Sequence, residues 1–407
     1  MGAWPSKGTA TPATSPVDHP WSSLPLDLVG LVLSHLHSDA IRVRFAAVCR
    51  HWRHVARNYL PSLFPAFPWI FSRDGSCLRL PVGELHRLRF RKGVSCHGSF
   101  GDWLLFQENG LWRNRRFLEN PLSGAIVPLP SRHSSAESKS ELFHIVKVIV
   151  CSNDLIAAMI RYDGTYINRV VCCRPGMPSW SRPGEHNSCR YYEDIAFHEG
   201  NIYTVAAGGD LFVHEITKGS VTREPKLSLP KRVLQAPAWP VLYYDSTCHL
   251  VLSCTGKLLL VRWFLPRNPW ACSIDLMLQV FEADFEMDLW LEVENLNDQV
   301  LFVSSKCSKA MSASTHVDCL QANKIYLIDH DTIISTFWPE QNSCACMYDM
   351  RRETVDFIHL GERTIYQAEG WVLLCPVSTG MQGAPTAAGN SCENIIVLLI
   401  AGEEDVD

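Results

Sequence analysis

Most of the chain, from about residue 75 to residue 402, consists of short apolar runs separated by Gly, Asn and Asp. A typical example is the run 103–107, the turn Glu-Asn-Gly and a second apolar run, which predicts strand, tight turn and strand. Comparable turns are 54, 45 and 47 residues apart, at Gly110, Gly164, Gly209 and Gly256. A period of about 40 to 50 residues is typical of four-stranded propeller blades. This pattern predicts an all-β repeat structure.

The length of the β-rich region predicts how many blades it contains. At roughly 50 residues per blade, residues 76–403 give about six blades, and six is the number we expect. A propeller closes by pairing its last strand with a strand near the start of the domain, and the apolar run Ile395–Ile400 is the expected closing strand. An array of two-sheet sandwiches with similar turns is the alternative.

The run Phe281–Glu294 alternates apolar and acidic residues with almost strict period two. This pattern predicts one long strand with one face in solvent. Its six acidic residues, with no Lys or Arg among them, suit a basic partner. We favour a solvated outer strand whose charge prevents pairing between sheet edges.

Composition excludes several other classes of protein. With 47% hydrophobic and 19% charged residues, most of the 407-residue chain is expected to fold, in two to three domains. Residues 1–140 carry 17 basic and 9 acidic residues (+8), and the remainder carries 20 and 33 (−13). Neither a membrane-spanning run nor a signal peptide is evident. We expect an intracellular protein of the nucleus, the cytoplasm or both, with no membrane partner.

The sequence does not indicate catalysis or metal binding. The 16 cysteines are about 4% of the chain and lack Cys-X-X-Cys spacing, so we expect reduced thiols and no metal site. Phosphate-binding, dinucleotide-binding, nucleophile-elbow and zinc-protease motifs are also absent. We therefore expect no catalytic residues, no cofactor and no enzymatic activity.

The N-terminal segment, in contrast, has helical periodicity. Ser23 is the expected helix cap, and Leu24, Leu28, Leu31 and Val32 form one apolar face. A second helix is expected from Asp39 to Arg57, ended by Pro61. This second helix carries a basic face that suits solvent, nucleic acid or an acidic protein, formed by Arg42, Arg44, Arg50, Arg53 and Arg57.

These residues resemble the F-box family. The family pattern Leu-Pro-x-Asp-Leu-Leu-x-x-Ile-Leu, followed by Val-Cys-x-x-Trp-Arg, matches Leu24, Pro25, Asp27, Leu28, Val29, Val32, Leu33, Val48, Cys49, Trp52 and Arg53. The resemblance implies three short helices with a break near Val48 and Cys49. It also implies docking to a Skp-type adaptor and, through it, to a cullin scaffold. A helical hairpin that only caps the next domain is the alternative.

The adaptor-binding residues implied by this resemblance are mostly aliphatic. Five of them, Leu24, Pro25, Leu28, Val32 and Val48, are expected to share burial between the F-box core and the partner, each contributing about 1.5 to 3 kcal/mol if fully desolvated. The full set is Leu24, Pro25, Leu28, Val29, Val32, Leu33, Val48, Cys49 and Trp52. Tryptophans near turns, among them Trp180, are better candidates for a partner surface than those within strand-like runs.

The C-terminal part resembles the plant F-box proteins with a KIB-type β-propeller. The resemblance rests on the segments 120–124, 192–203 and 290–302. The expected organisation is a small all-α F-box domain followed by an all-β propeller. Its expected parts are a disordered tail (1–20), the F-box (21–62), a linker (63–75), the propeller (76–403) and an acidic tail (404–407).

Together these features predict the substrate-recognition subunit of an SCF-type cullin ubiquitin ligase, with an unknown protein client bound by the propeller. The alternative is an interaction protein whose propeller blocks a partner such as a kinase, without ubiquitin transfer. A third hypothesis, a basic N-terminal nucleic-acid binder, predicts binding that falls steeply with salt. We expect no nucleic-acid partner.

Overall fold

The computed structural model describes residues 20–36, 45–46, 48–63, 68–72, 76–79, 84–87, 94–100, 103–109, 114–119, 125–132, 143–151, 154–181, 191–218, 225–238, 244–266, 277–314, 320–328, 345–358 and 368–373. The chain divides into two compact units, residues 1–63 and 64–407. The first is helical and the second is built of strands. No helix of the described ranges is both long enough and apolar enough to cross a membrane.

The helical unit contains a 3₁₀ turn, Pro20–Ser23, and two α-helices, α1 (Leu26–Ser34) and α2 (Arg50–Leu63). Helix α1 begins after Pro25, whose carbonyl accepts hydrogen bonds from the amides of Leu28 and Val29 at 3.1 Å. The prediction that Ser23 caps this helix is therefore wrong, since Ser23 ends the 3₁₀ turn.

Helix α2 differs from the expected second helix at both ends. Residues 45, 46 and 48 are helical, Cys49 is not, and α2 starts at Arg50. The expected stop at Pro61 is wrong, because α2 continues to Leu63. Pro61 lies in the last turn, where a missing amide removes one helical hydrogen bond. The expected start at Asp39 lies outside the described residues.

The strands of the second unit form six main sheets, which we number in chain order. Sheet 1 contains β1 (Pro68–Ser72), β2 (Ser76–Arg79), β3 (Glu84–Arg87) and β26 (Ala368–Leu373). Sheet 2 contains β4 (Val94–Phe100), β5 (Trp103–Asn109), β6 (Asn114–Glu119) and β7 (Ile126–Leu129). Sheet 3 contains β8 (Phe143–Val150), β9 (Ile156–Tyr162) and β10 (Asn168–Cys173).

The remaining sheets follow along the chain. Sheet 4 contains β11 (Tyr192–His198), β12 (Asn201–Ala206), β13 (Leu211–His214) and β16 (Lys231–Leu234), with a side hairpin of β14 (Ile216–Lys218) and β15 (Pro225–Leu227). Sheet 5 contains β17 (Tyr244–Leu252), β18 (Leu258–Pro266), β19 (Met277–Asp284) and β20 (Leu289–Glu292). Sheet 6 contains β21 (Gln299–Ser304), β22 (Lys309–Ser312), β23 (Lys324–Ile328), β24 (Ala345–Asp349) and β25 (Thr354–Ile358).

The sheets follow one another in a closed series. Strand β26 contacts β4, and the series continues through β8, β11, β17 and β21 back to β26. Within sheet 1, β26 pairs antiparallel with β1, so a late strand completes the first sheet. This is the closure expected of a propeller, made by residues 368–373. The run expected to close it, Ile395–Ile400, lies outside the described residues.

The prediction of about six blades is wrong, because the described strands form five complete blades. Among the described strands, five sheets have four or five strands, and sheet 3 has three. An estimate from length alone assumes equal blades, whereas sheet 4 carries an extra hairpin and sheet 6 an extra strand. The segment predicted as a linker, 63–75, also contains β1 of sheet 1.

The turn glycines are also less equivalent than their spacing indicates. Gly164 and Gly209 connect the second and third strands of their sheets, but Gly256 connects the first and second. Gly209 has a φ of +111°, and a Cβ there would lie 3.0 Å from Pro237 and 3.2 Å from Leu260. Conformation and packing both require glycine at this turn.

Apolar cores lie between neighbouring sheets. One core joins Val205 and Leu211 of sheet 4 to Leu260 and Trp290 of sheet 5. The opposite face of sheet 5 packs on sheet 6 through a second core, formed in part by Val251, Leu259, Trp263, Leu301, Ile325 and Tyr348. Because both faces of a sheet are covered, the strands are rich in apolar residues rather than strictly alternating.

The run Phe281–Glu294 is a hairpin rather than the single strand predicted. The chain turns at residues 285–288, where the carboxylate of Asp284 accepts hydrogen bonds from the amides of Glu286 and Met287 at 2.9 Å. Its one break in alternation, Trp290, is the buried residue of β20. Buried residues therefore fall at odd positions before the turn, Phe281 and Ala283, and at an even position after it, Trp290. The regular alternation of the sequence does not reveal this change.

Candidate docking surface

The core of the helical unit uses one side of α1. Val29 and Leu33 are fully buried and pack with three residues that follow in the chain, Phe45, Val55 and Ala56. Because Val29 and Leu33 are four residues apart, they lie on the same face of the helix. This face holds the helical unit together.

The other side of α1 is apolar and exposed to solvent. Leu28 is 49% exposed, Leu31 56% and Val32 39%. These positions are three and four residues apart and form a continuous strip, which we call the exposed α1 face. An exposed strip of aliphatic side chains in a small unit marks a surface suited to another protein.

Val48 lies just before α2 and is also exposed, by 58%. The next residue, Cys49, interrupts the helix, and its sulfur accepts a hydrogen bond from the Trp52 amide at 3.4 Å. The break near Val48 and Cys49, implied by the family resemblance, is therefore present in the structure.

Trp52 is half-buried inside the unit. Its ring centroid lies 4.5 Å from that of Phe45, and its Nε1 donates to the carbonyl of Trp21 at 3.0 Å. The ring of His51 is hydrogen-bonded to the Leu24 carbonyl at 2.8 Å. These contacts tie the residues before α1 to α2, so Trp52 has a structural role in the unit.

The nine predicted adaptor-binding residues therefore occupy different environments. Pro25, Leu28, Val32 and Val48 are exposed; Leu24, Cys49 and Trp52 are half-buried; Val29 and Leu33 are buried. Two exposed apolar residues of the same segment, Leu26 and Leu31, were left out of the predicted set. Leu31 lies three residues after Leu28, so helical spacing in the sequence could have placed it on the same exposed face.

The basic face predicted on the second helix is only partly described. Arg50 is exposed, whereas Arg53 is half-buried and its Nε donates to the Ala46 carbonyl at 3.2 Å. Arg42 and Arg44 lie outside the described residues. Arg53, one of the predicted basic residues, therefore has a hydrogen bond within the helical unit.

In the propeller, a buried ion pair joins neighbouring sheets. Lys147 of β8 donates to the Asp194 carboxylate of β11 at 2.6 Å, and both side chains are buried. The same carboxylate accepts from the amides of Ile195 and Leu250 at 2.7 and 2.8 Å, and His249 Nδ1 lies 4.0 Å away. Three successive sheets are joined at this point, which indicates a structural role.

Two buried histidines and a glutamate of sheets 4 and 5 have shifted pKa values. Burial lowers the pKa of His214 to about 4. Burial, reinforced by the charge of Lys147 and opposed by Asp194, lowers the pKa of His249 to about 4. Burial raises the pKa of Glu193 to about 7, although its carboxylate accepts a hydrogen bond from the Cys248 amide. These groups make propeller stability pH-dependent.

Arg262 is a second buried cation. It is fully buried and donates to the carbonyls of Gly208, Pro237 and Ala238 at 3.0 to 3.1 Å and to Gln279 Oε1 at 2.9 Å. Its guanidinium carbon also lies 4.9 Å from the ring centroid of Phe264. These contacts join sheet 5 to the chain that follows β12 and β16.

Trp180 is fully buried and its Nε1 donates to the Pro130 carbonyl at 2.8 Å, so its prediction as a partner-surface residue is wrong. Its indole N–H is hydrogen-bonded inside the propeller, which a turn position alone does not reveal.

Among the described cysteines, seven are buried and Cys254 is exposed. Burial raises the pKa of Cys172 to about 11. The ranges described contain no cluster of His, Cys, Asp or Glu suited to a metal ion.

Comparison with known proteins agrees with this division of the chain. The F-box-like family matches residues 21–60, and the KIB1-4 beta-propeller family matches residues 77–349. The F-box protein At2g26160 of Arabidopsis thaliana is 23% identical, covering 76% of this chain and 96% of that protein. The F-box protein SKIP23 of the same plant is also 23% identical, covering 75% of this chain and 83% of that protein.

Similarity to solved structures is weak. A PL25 ulvan lyase has 10% identity and a TM-score of 0.29, covering 56% of this chain and 58% of the lyase chain. The family matches carry the assignment, because one of them spans most of the strand-built unit. The chain belongs to the KIB1-4 beta-propeller family, in the class of plant F-box proteins with an F-box-like domain at the N-terminus.

Proposed function

We propose that this protein is the substrate receptor of an SCF-type cullin ubiquitin ligase. In this proposal, an F-box of residues 21–62 binds a Skp-type adaptor, and the propeller recruits a protein client. F-box β-propeller proteins are typically non-catalytic receptor subunits of ubiquitin ligase complexes, so the chain is not an enzyme. We propose that it acts inside the cell, in the nucleus, the cytoplasm or both.

The observation that carries this proposal is the exposed α1 face. Leu28, Leu31 and Val32 remain in solvent although the buried face of the same helix is fully packed. Each residue has already lost about half of its exposure, so burial against a partner contributes about 1 kcal/mol per residue. Val48 and Pro25 add further apolar surface. The predicted partner surface is aliphatic, so binding should depend weakly on salt.

The role proposed for the ligase needs no catalytic group on this chain. A receptor that holds a client lysine close to a charged ubiquitin carrier converts a rare encounter into an effectively intramolecular reaction. Two separate compact units suit this role, since one can bind the ligase core and the other the client.

The test measures the affinity of the purified full chain for a purified Skp-type adaptor. Leu28→Ser is expected to weaken binding by about tenfold, because it removes apolar surface and leaves a hydroxyl in the interface. Leu229→Ser is the matched control, because Leu229 is 53% exposed and lies in the propeller. Equal affinity of the two variants would contradict the proposal.

A second readout separates a ligase receptor from a blocking protein. In the complete ligase, Leu28→Ser is expected to reduce ubiquitin transfer to a bound client while leaving client binding intact. A protein that acts only by blocking its partner keeps its full effect on the client in Leu28→Ser. Full activity of that variant would favour the blocking function.

A further inference from the structure

The β19–β20 hairpin carries large apolar side chains on the propeller surface. Met287, in the turn, is 68% exposed, and Leu289 and Leu291 of β20 are 39% and 46% exposed. Leu289 and Leu291 are two residues apart, so they lie on one face of the strand. Trp290 points the other way and is 9% exposed. Three apolar side chains thus face solvent within five residues.

Strand β20 is also the outer strand of its sheet. It pairs antiparallel with β19, and no other described strand pairs with it. An outer strand has unpaired amides and carbonyls along one edge, and an extended peptide can add to that edge as a further strand.

Acidic residues surround these apolar side chains. Glu286, Asp288, Glu292 and Glu294 are exposed. Two further acids are register partners of the leucines and share their face, since Glu282 pairs with Leu291 and Asp284 with Leu289. The Nζ of Lys257 lies 3.5 Å from Oε1 of Glu282, so the lysine offsets one of these negative charges. A solvated outer strand that needs only protection from edge pairing would not require exposed leucines between the acids.

We propose that β20 binds an extended segment of a partner protein that alternates apolar and basic residues. Partner apolar side chains would meet Leu289 and Leu291 on one face, and partner basic side chains would lie on the opposite face near the exposed Glu292 and Glu294. Backbone hydrogen bonds would form along the free edge. A second copy of this chain is a poor occupant, because it would bring like charges together. The proposal rests on the proposed function in one respect, because it names the chemistry of the client.

The test uses synthetic peptides and the purified full chain, with fluorescence anisotropy as the readout. A peptide of alternating Val and Lys is expected to bind, and a peptide with Glu in place of Lys is not. N-methylation of alternate amides on one peptide edge is expected to abolish binding, whereas methylation on the other edge leaves it unchanged. Equal loss from both methylated peptides would overturn strand addition.

Two variants locate the binding site. Leu289→Ser with Leu291→Ser is expected to weaken Val-Lys peptide binding by about tenfold. Leu229→Ser, a similarly exposed leucine elsewhere in the propeller, is expected to have no effect. Circular dichroism and thermal unfolding check that the leucine variant is folded.

Charge reversal provides an independent test. Glu286→Lys with Glu294→Lys is expected to exchange the preference, so that the Val-Glu peptide binds and the Val-Lys peptide is lost. Asp356→Lys changes an exposed acid on β25 and is expected to retain the original preference. An unchanged preference in the double variant, or failure of the unmodified protein to bind the Val-Lys peptide, would overturn the proposal.

These outcomes are separable from those of the F-box. Adaptor affinity is measured on the same variants and is expected to stay at the unmodified value. Loss of peptide binding with intact adaptor binding therefore reports on β20, and loss of adaptor binding in Leu28→Ser reports on α1. Self-association through β20, shown by sedimentation of the unmodified chain and lost in Leu289→Ser with Leu291→Ser, would assign the surface to a second copy and overturn the proposal.

Discussion

The two units of this protein use apolar side chains in different ways. In the helical unit, Val29 and Leu33 form a small core while Leu28 and Val32 of the same helix remain exposed. In sheet 5 of the propeller, the inner strands are packed on both faces against neighbouring sheets, and leucines of the outer strand β20 are exposed. A small unit has too little interior to bury all its apolar surface. The difference shows that propeller stability is internal, whereas part of the apolar surface of α1 is available to a partner.

The largest expected effect is the loss of propeller stability when the buried Lys147–Asp194 ion pair is disrupted. Lys147→Met leaves the Asp194 carboxylate buried without its cation, at a cost of about 3 to 5 kcal/mol in the free energy of unfolding. Chemical denaturation of the full chain, followed by tryptophan fluorescence, measures this change. Lys226→Met is a matched control at an exposed position of β15 and should have little effect. An equal loss in both variants would show that the buried pair is not what stabilises the propeller.

The expected fold depended on patterns that local chemistry determines. Short strands and turn glycines predicted an all-β propeller, and the closed series of sheets confirms this class. The number of blades could not be predicted from these local patterns, because pairing between strands far apart in the sequence determines which segments share a sheet. Strand β1 shows this, since its partner β26 lies about 300 residues away in the chain.

The next expected effect concerns the buried side of α1. Leu33→Ala removes a fully buried side chain and should destabilise the helical unit by about 2 to 5 kcal/mol. Hydrogen exchange of the α2 amides in the full chain measures this loss without involving the propeller. Leu31→Ala, in the same helix but 56% exposed, is the control. Faster exchange of α2 in both variants would contradict the distinction between the two faces.

Candidate site residues were predictable only to the extent that family pattern and solvent exposure coincide. The pattern identified Leu28, Val32 and Val48, which are exposed, but also Val29 and Leu33, which are buried. A sequence motif records both the residues that build a unit and the residues that bind a partner. Separating the two requires the direction in which each side chain points, and that depends on where the helix packs.

The smallest expected effect, taken per pH unit, is the pH dependence of propeller stability. His214 and His249 have a pKa of about 4 in the folded state, below their ordinary value of 6.5. The unfolded chain therefore binds more protons between these values, and stability falls as pH drops from about 6.5 towards 4. Each histidine contributes a slope of up to about 1.4 kcal/mol per pH unit. Glu193 has its pKa raised to about 7, so the folded chain binds its proton more readily than the unfolded chain does. This effect offsets the destabilising contribution of one histidine.

Glu193→Gln sharpens this prediction, because it removes the opposing group. Denaturation at a series of pH values should show a steeper loss of stability between pH 6.5 and 4.5 in this variant than in the unmodified chain. A pH-independent stability in both proteins would show that the buried histidines are not neutral in the folded state. The exposed α1 face carries no titrating side chain, so adaptor binding should not follow the same profile.

The most direct test of the central claim is hydroxyl-radical footprinting of the full chain with and without a purified Skp-type adaptor. The account predicts that Leu28, Leu31 and Val32 react in the free protein and become protected in the complex. Val29 and Leu33 should be protected in both states, because they are buried already. Unchanged reactivity of Leu28, Leu31 and Val32 in a saturated complex would show that the exposed α1 face is not the adaptor-binding surface.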